Sequence, residues 1–299
     1  MTNRREFLKS AGASAAAVAA PASWMNVALA QALLPTRPIP GTDESLPIIG
    51  LGNSRIFTEG DMAASLGLIR TFHERGGAYI DCLGVGRFVV AEVAKQMNAG
   101  NDLFLGTYFN DEKEEVMRTN VQRLLETAGK SQLDLVQSWP EFGIPNWDMF
   151  RGWKDEGLTK YIGLSRHNSS YYDAMMEVME TGTVDFIQVN YSPLEREAEE
   201  RILPMAMDKG IAVNINRPFL NGDYFKLVKG HELPEWAAEF NCVSWAQFAL
   251  KFILSHPAVN CVLTETSNSE HALDNIGAGF GLLPDSETRE RIFAHLKGL

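Results

Sequence analysis

The sequence predicts an α/β protein built as one single-domain (β/α)₈ TIM barrel. Eight short apolar runs alternate with longer amphipathic stretches, the rhythm of parallel strands covered on their outer face by helices. The 299 residues suit one barrel, which takes roughly 250 residues. An open doubly wound sheet would want a Gly-rich turn after its first strand. No G-x-G-x-x-G follows Leu51, and Gly50-Leu51-Gly52 is only a fragment of one.

Taken in order, residues 1–30 read as an address. Asn3-Arg4-Arg5-Glu6-Phe7-Leu8-Lys9 is a basic start, residues 11–22 are a weakly apolar Ala-rich run, and Ala28-Leu29-Ala30 is a small-x-small pattern before Gln31. Those three parts make a removable signal peptide. An amphipathic N-terminal helix is the competing reading, but an Ala/Gly/Ser middle makes a poor core face. The paired arginines resemble the twin-arginine export signal, with Asn3 where Ser or Thr is commoner. That resemblance implies passage through the twin-arginine translocase and a bacterial, periplasmic destination. Residues 31–45 form a Pro- and Thr-bearing connector, and residues 46–299 the barrel. No other stretch approaches the ~18 apolar residues of a membrane span.

The expected strands are 48–51, 78–83, 103–108, 133–139, 160–165, 186–191, 211–215 and 259–263. Helix-like segments lie at 61–75, 111–128 and 196–209, the last with acidic residues in its first turn, beside the positive end of the helix dipole. Composition agrees with a large globular core: 45% hydrophobic, 22% charged and 10% aromatic. The net charge is −11. Without residues 1–30 the chain keeps 24 basic and 37 acidic side chains, or −13. Such a surface is a poor match for nucleic acid or anionic lipid. Cys82, Cys242 and Cys261 are odd in number, far apart and set in apolar runs, so they read as buried free thiols. No spacing suggests a metal.

Barrel chemistry sits at the carboxyl ends of the strands. Those positions hold Asp81, Tyr108, Trp139, Ser165 with Arg166, Gln188 to Tyr191, and Asn216 to Phe219. After the eighth run, Thr266-Ser267-Asn268 leads into a helix near Glu270. Free backbone N–H groups there suit an anion or phosphate, although Asn268 reads equally well as a plain N-cap.

Gly50-Leu51-Gly52, Tyr161-Ile162-Gly163-Leu164-Ser165, Gln188-Val189-Asn190-Tyr191-Ser192, Asn216-Arg217-Pro218-Phe219 and Thr266-Ser267-Asn268 with Asn275 occur in the order found in the aldo/keto reductases. From about Leu46 onward the chain resembles that family, closest to its exported members with a twin-arginine signal. The resemblance implies NADP or NAD extended over the strand ends, with a small molecule as substrate. Ser165 and Gln188 would hold the nicotinamide amide, with Arg166 beside them. Asn216, Arg217, Thr266, Ser267, Asn268 and Asn275 would line the rest of the cofactor.

Family members reduce carbonyls with an Asp, Tyr, Lys and His. Asp81 matches the Asp. Gly86 stands where the Tyr belongs, Tyr108 where the Lys belongs and Trp139 where the His belongs. Gly has no proton to give, Trp offers only an indole N–H, and an isolated Tyr keeps a pKa near ~10. Glu265 and His271 stand where many members carry the cations that neutralise the 2′-phosphate, so dinucleotide binding is expected to be weakened. Asn216 stands where many stack a Tyr on the nicotinamide. The expectation is an aldo/keto reductase-like pseudoenzyme, nominally an NAD(P)-dependent oxidoreductase of carbonyl compounds but lacking standard carbonyl reduction. Two alternatives stay open: a working reductase whose acid is Tyr108, activated by Arg166, and a periplasmic binding protein without dinucleotide. Asp81, deprived of its Lys, needs a partner, for which Arg87, Arg166 and the Tyr108 hydroxyl are the candidates.

Overall fold

The computed structural model describes residues 32–110 and 113–299, so the expected signal peptide lies outside the described residues. Thr36–Pro38 (β1) and Ser45–Pro47 (β2) form an antiparallel hairpin. The barrel strands are Ile49–Leu51 (β3), Tyr79–Cys82 (β4), Phe104–Tyr108 (β5), Leu133–Ser138 (β6), Thr159–Arg166 (β7), Phe186–Asn190 (β8), Ala212–Asn216 (β9) and Val259–Thr264 (β10). They close in the order β10-β3-β4-β5-β6-β7-β8-β9, and every neighbouring pair is parallel. The single-domain TIM barrel expected from the sequence is therefore present.

The main helices are Met62–His73 (α1), Gly86–Gln96 (α2), Glu114–Ala128 (α3), Trp147–Asp155 (α4), Tyr172–Met179 (α5), Ile202–Lys209 (α6), Trp245–Leu254 (α7), Ser269–Gly277 (α8) and Ser286–Lys297 (α9). Local chemistry sets several of their ends. Asp61, Ser244 and Asp285 accept from backbone N–H groups of the first turns of α1, α7 and α9. Gly129 and Gly210 end α3 and α6 in the left-handed conformation that L side chains resist.

The helix expected at 196–209 starts later than the charge pattern suggested. Glu197–Glu199 is a 3₁₀ turn, and α6 begins at Ile202. A helix from Arg196 would carry Pro204 in its interior, where the missing N–H breaks a backbone bond. Starting at Ile202 puts the proline in the first turn, where no bond is lost. The acidic turn is also tied elsewhere, since Arg196 pairs with both Glu199 and Glu290 on α9.

The connector forms the β1–β2 hairpin against the amino end of the barrel. Arg37 donates to the carbonyl oxygens of Val259 and Leu254, and Asn260 Nδ2 donates to Pro38 O at 2.8 Å. Ile39 and Leu46 join an interior cluster with Tyr79, Leu135, Tyr161, Phe186, Ala212, Cys261 and Leu263. A second, larger apolar cluster fills the space between barrel and helices. All three cysteines are buried free thiols.

Above the apolar layer the interior turns polar, and one glycine makes room for that change. Gly106 pairs with Asp81 across β4 and β5. A Cβ at Gly106 would meet Asp81 Oδ1 at 2.5 Å and the Tyr79 ring at 2.9 Å. Gly106→Ala should therefore push Asp81 out of register and lower stability by about 1–3 kcal/mol, the usual cost of overpacking. Urea unfolding measures this, and an unchanged midpoint would mean that the carboxyl moves freely.

Candidate functional site

A cleft of about 330 Å³ opens at the carboxyl ends of the strands. It is lined by Asp81, Tyr108, Trp139, Ser165, Arg166 and Gln188, with Asn216, Arg217 and Glu265 among the others. The size is that of a small-molecule site. The rim positions picked from the strand ends thus converge. Thr266, Ser267, Asn268, Asn275 and Gly86 lie outside this lining.

Asp81 is the centre of the cleft floor and is 4% exposed. Its Oδ2 accepts from the Tyr108 hydroxyl at 2.7 Å and from Gln188 Nε2 at 3.1 Å. Its Oδ1 accepts from Gln137 Nε2 at 2.8 Å and from the Tyr79 hydroxyl at 3.2 Å. An ionised carboxylate offers about four acceptor sites, and four neutral donors fill them. No cation pairs with Asp81 among the described residues. Burial raises the Asp81 pKa, and the four hydrogen bonds oppose that rise.

Of the three candidate partners, the Tyr108 hydroxyl is the one that engages. It also lies 2.8 Å from Gln188 Oε1 and 3.4 Å from Ser165 Oγ. Burial, then the neighbouring Asp81 charge, hold the Tyr108 phenol well above its usual range. Arg87 donates instead to the Tyr108 carbonyl oxygen at 2.7 Å and packs over Phe109. Arg166 pairs with Glu141 at 2.5 Å and lies over the rings of Tyr171 and Trp139. The pairing of Arg166 with Tyr108 expected for a relocated acid is not made. Arg166 lines the cleft beside Ser165, but its guanidinium is engaged by Glu141 and the two rings instead of by the phenol.

The two-residue period of a strand explains what the strand-end list missed. Tyr79, Gln137 and Asn214 share parity with Asp81, Trp139 and Asn216 on their strands, so all point into the barrel. Asn214 Nδ2 donates to the Tyr79 hydroxyl at 3.0 Å and so supports the cage from below. His167 also lines the cleft. Desolvation, then the charges of Arg166 and Arg217, lower its pKa.

Other expected contacts are placed as follows. Asn216 Nδ2 reaches Gln188 Oε1 at 3.3 Å, while its Oδ1 is buried without a partner, as are Arg166 Nε and Arg217 Nε. Arg217 and Asn221 have φ of +50° and +55°, strained values for non-glycine residues in a loop that lines the cleft. Ser267 Oγ lies 3.2 Å from Ser54 Oγ, and Thr266 Oγ1 accepts from Asn268 N at 3.1 Å. Asn268 Oδ1 caps α8, accepting from the N–H groups of Glu270 and His271, so those two donors are not free for an anion. Asn275 is buried on α8. Glu265 is exposed as a residue, yet desolvation of its carboxyl and the Asp81 charge raise its pKa.

The two rim apolar groups are held by asparagines. Asn110 Oδ1 accepts from Trp139 N at 2.7 Å, and Asn53 Oδ1 accepts from Leu83 N at 3.3 Å. Gly86 opens α2 and faces inward, where a Cβ would meet Cys82 Sγ at 2.6 Å and the Phe57 backbone at 3.3 Å. A tyrosine introduced at Gly86 would thus collide with Cys82 and Phe57. Gly86→Tyr should lower stability by about 1–3 kcal/mol in urea unfolding and confer no aldehyde reduction. Full stability with gained turnover would place that side chain in the cleft instead.

No group of three or more His, Cys, Asp or Glu among the described residues is arranged to hold a metal. No helix among them is long and apolar enough to cross a membrane. Residues 1–21 match the TAT (twin-arginine translocation) pathway signal sequence, a signal for export. An aldo-keto reductase from Bacillus halodurans in its holo form shares the fold with a TM-score of 0.71 at 20% identity, covering 88% of this chain and 96% of that one. An aldo/keto reductase from Klebsiella pneumoniae in complex with NADP and acetate gives a TM-score of 0.69 at 17% identity, over 86% and 94% of the two chains. The NADH-specific methylglyoxal reductase of Escherichia coli K12 is 30% identical over 115 residues, which span 36% of this chain and 34% of that relative. The Aldo/keto reductase family profile matches residues 49–292, and this chain, folded as a closed parallel barrel, belongs to the aldo/keto reductase family.

Proposed function

We propose that this is an exported, periplasmic member of the family that binds a nicotinamide dinucleotide weakly and does not perform the family's standard carbonyl reduction. The observation that carries this reading is the Tyr108–Asp81 hydrogen bond of 2.7 Å at the place where the family pairs a lysine with the aspartate. A phenol there supplies no positive charge, and its own proton is committed to the carboxylate. Gly86 supplies no replacement acid, and Trp139, 36% exposed, gives the substrate side an indole in place of an imidazole.

The cleft retains groups suited to a carboxamide. Asn216, Arg166, Ser165 and Gln188 all line it, and their side chains carry the donors and acceptors that an amide needs. Asn216 and Arg166, with Ser165 and Gln188, are thus the residues that would hold the nicotinamide end. A bound dinucleotide would supply hydride. Ser165 and Gln188 already bond to each other at 3.1 Å, and Gln188 also bonds to Asp81, so their hold on an added amide competes with bonds already made. Toward the 2′-phosphate, Glu265 brings a carboxylate and Asn268 occupies N–H groups of α8. Both features favour NAD over NADP and weaken binding.

Two measurements test this. Purified protein with NADH or NADPH should reduce benzaldehyde or methylglyoxal no faster than the protein-free control. Robust turnover abolished by Tyr108→Phe would establish Tyr108 as a working acid and overturn the proposal. Separately, Glu265→Lys with His271→Arg should tighten NADPH by about ten- to a hundredfold, the worth of one good charged pairing, and leave NADH almost unchanged. An equal gain for both dinucleotides would mean that these residues do not face the phosphate.

A further inference from the structure

A second cavity, of about 420 Å³, adjoins the cleft and shares Arg217, Asn221 and Glu265 with it. Pro218, Phe219 and Phe225 give this cavity an apolar side. The Phe219 and Phe225 rings lie 4.8 Å apart and tilted by 45°, and Phe225 is 42% exposed. The loop that carries most of this lining is strained. Arg217, Leu220 and Asn221 have φ of +50°, +53° and +55°, left-handed values that non-glycine residues hold mostly at ligand clamps and active sites.

The two charges of the cavity are not spent on each other. Arg217 and Glu265 line the same space but make no ion pair together, and Arg217 pairs instead with Glu195, at 3.8 Å. One terminal nitrogen of Arg217 donates to the His167 carbonyl oxygen at 2.9 Å, which anchors the guanidinium. Glu265 has no hydrogen bond or ion pair among the described residues. Its stem leans over Gly52, where a Cβ would come within 2.9 Å of Glu265 Cγ. Desolvation, then the Asp81 charge, raise the Glu265 pKa, so a cation placed beside its carboxylate would favour the ionised form.

We propose that this second cavity binds a small zwitterion with an apolar group, of the class of an aromatic α-amino acid. Glu265 takes the ammonium, Arg217 takes the carboxylate, and Phe219 with Phe225 takes the side group. A plain anion would meet Glu265 and a plain cation would meet Arg217, so a ligand carrying both charges is the one this pair favours. The inference rests on the reading that a dinucleotide is held weakly, because its phosphates would approach the same carboxylate.

Calorimetric titration of the purified protein with L-phenylalanine, without dinucleotide, tests this. Binding should be saturable. Phenethylamine, which lacks the carboxylate, and hydrocinnamate, which lacks the ammonium, should each bind about ten- to a hundredfold more weakly, as expected for one lost charged pairing. Glu265→Gln should weaken phenylalanine by a similar factor and leave hydrocinnamate no weaker. Arg217→Met should weaken phenylalanine as well, and Arg217→Lys should restore part of the loss. Phenylalanine that does not saturate, that binds no better than either analogue, or that is indifferent to Glu265→Gln overturns the inference. Aldehyde turnover with NADH overturns the weak-dinucleotide reading instead, and a titration free of dinucleotide keeps the two failures apart.

Discussion

A carboxylate buried at the head of the barrel, with no cation paired to it among the described residues, is the constraint on which the rest of the site depends. Leaving such a charge unpaired costs several kcal/mol. Asp81 offsets this with four hydrogen bonds, and bonds to a charged group contribute roughly 1.5–3 kcal/mol each. Supplying them takes residues from β4, β5, β6 and β8, with Asn214 on β9 steadying Tyr79. Gly106 is small because Asp81 and Tyr79 fill the space its side chain would need. The polar cage then sits directly on the apolar layer that the β1–β2 hairpin closes from the other end.

Tyr108 answers the need of the buried Asp81 carboxyl with a neutral hydroxyl. The phenol satisfies the carboxylate without charge, so an ionised Asp81 leaves the pair with a net negative charge. A cation would stabilise a phenolate nearby. Burial, and then the neighbouring Asp81 carboxylate, do the opposite and hold the Tyr108 phenol high. Around the cage, Trp139 and Leu83 line the cleft wall, each fixed through its backbone by an asparagine. Arg166 and Glu141 brace the outer side of Trp139.

The sequence was most informative where one physical rule dominated. Strands buried on both faces read as apolar runs, so the barrel and its rim were visible, and Asp81, Tyr108, Trp139, Ser165 and Gln188 fell together. The partner of Arg166 is not legible in the sequence, because Arg166 lines the cleft while its charge is taken by Glu141, a contact between separate segments. Applying the two-residue period back from Asp81, Trp139 and Asn216 brings in Tyr79, Gln137 and Asn214. Pro204 carried the information that α6 starts late, but the acidic run before it looked like a helix start. Asn268 was ambiguous for a sound reason, since capping a helix and lining an anion site draw on the same N–H groups. The inward aim of Gly86 depends on the tertiary contact with Cys82 and Phe57, which no local pattern encodes.

The central claim is that Asp81 is held by four neutral donors and that burial without a paired cation raises its pKa. Carbon-detected NMR of the Asp81 carboxyl, titrated in the wild type and in Tyr108→Lys, measures this directly. In the wild type the Asp81 pKa should lie above that of an ordinary aspartate, and in Tyr108→Lys it should drop below it, because an adjacent ammonium favours the charged form. An Asp81 that titrates as an ordinary aspartate in the wild type, or whose pKa does not respond to the lysine, would contradict the account.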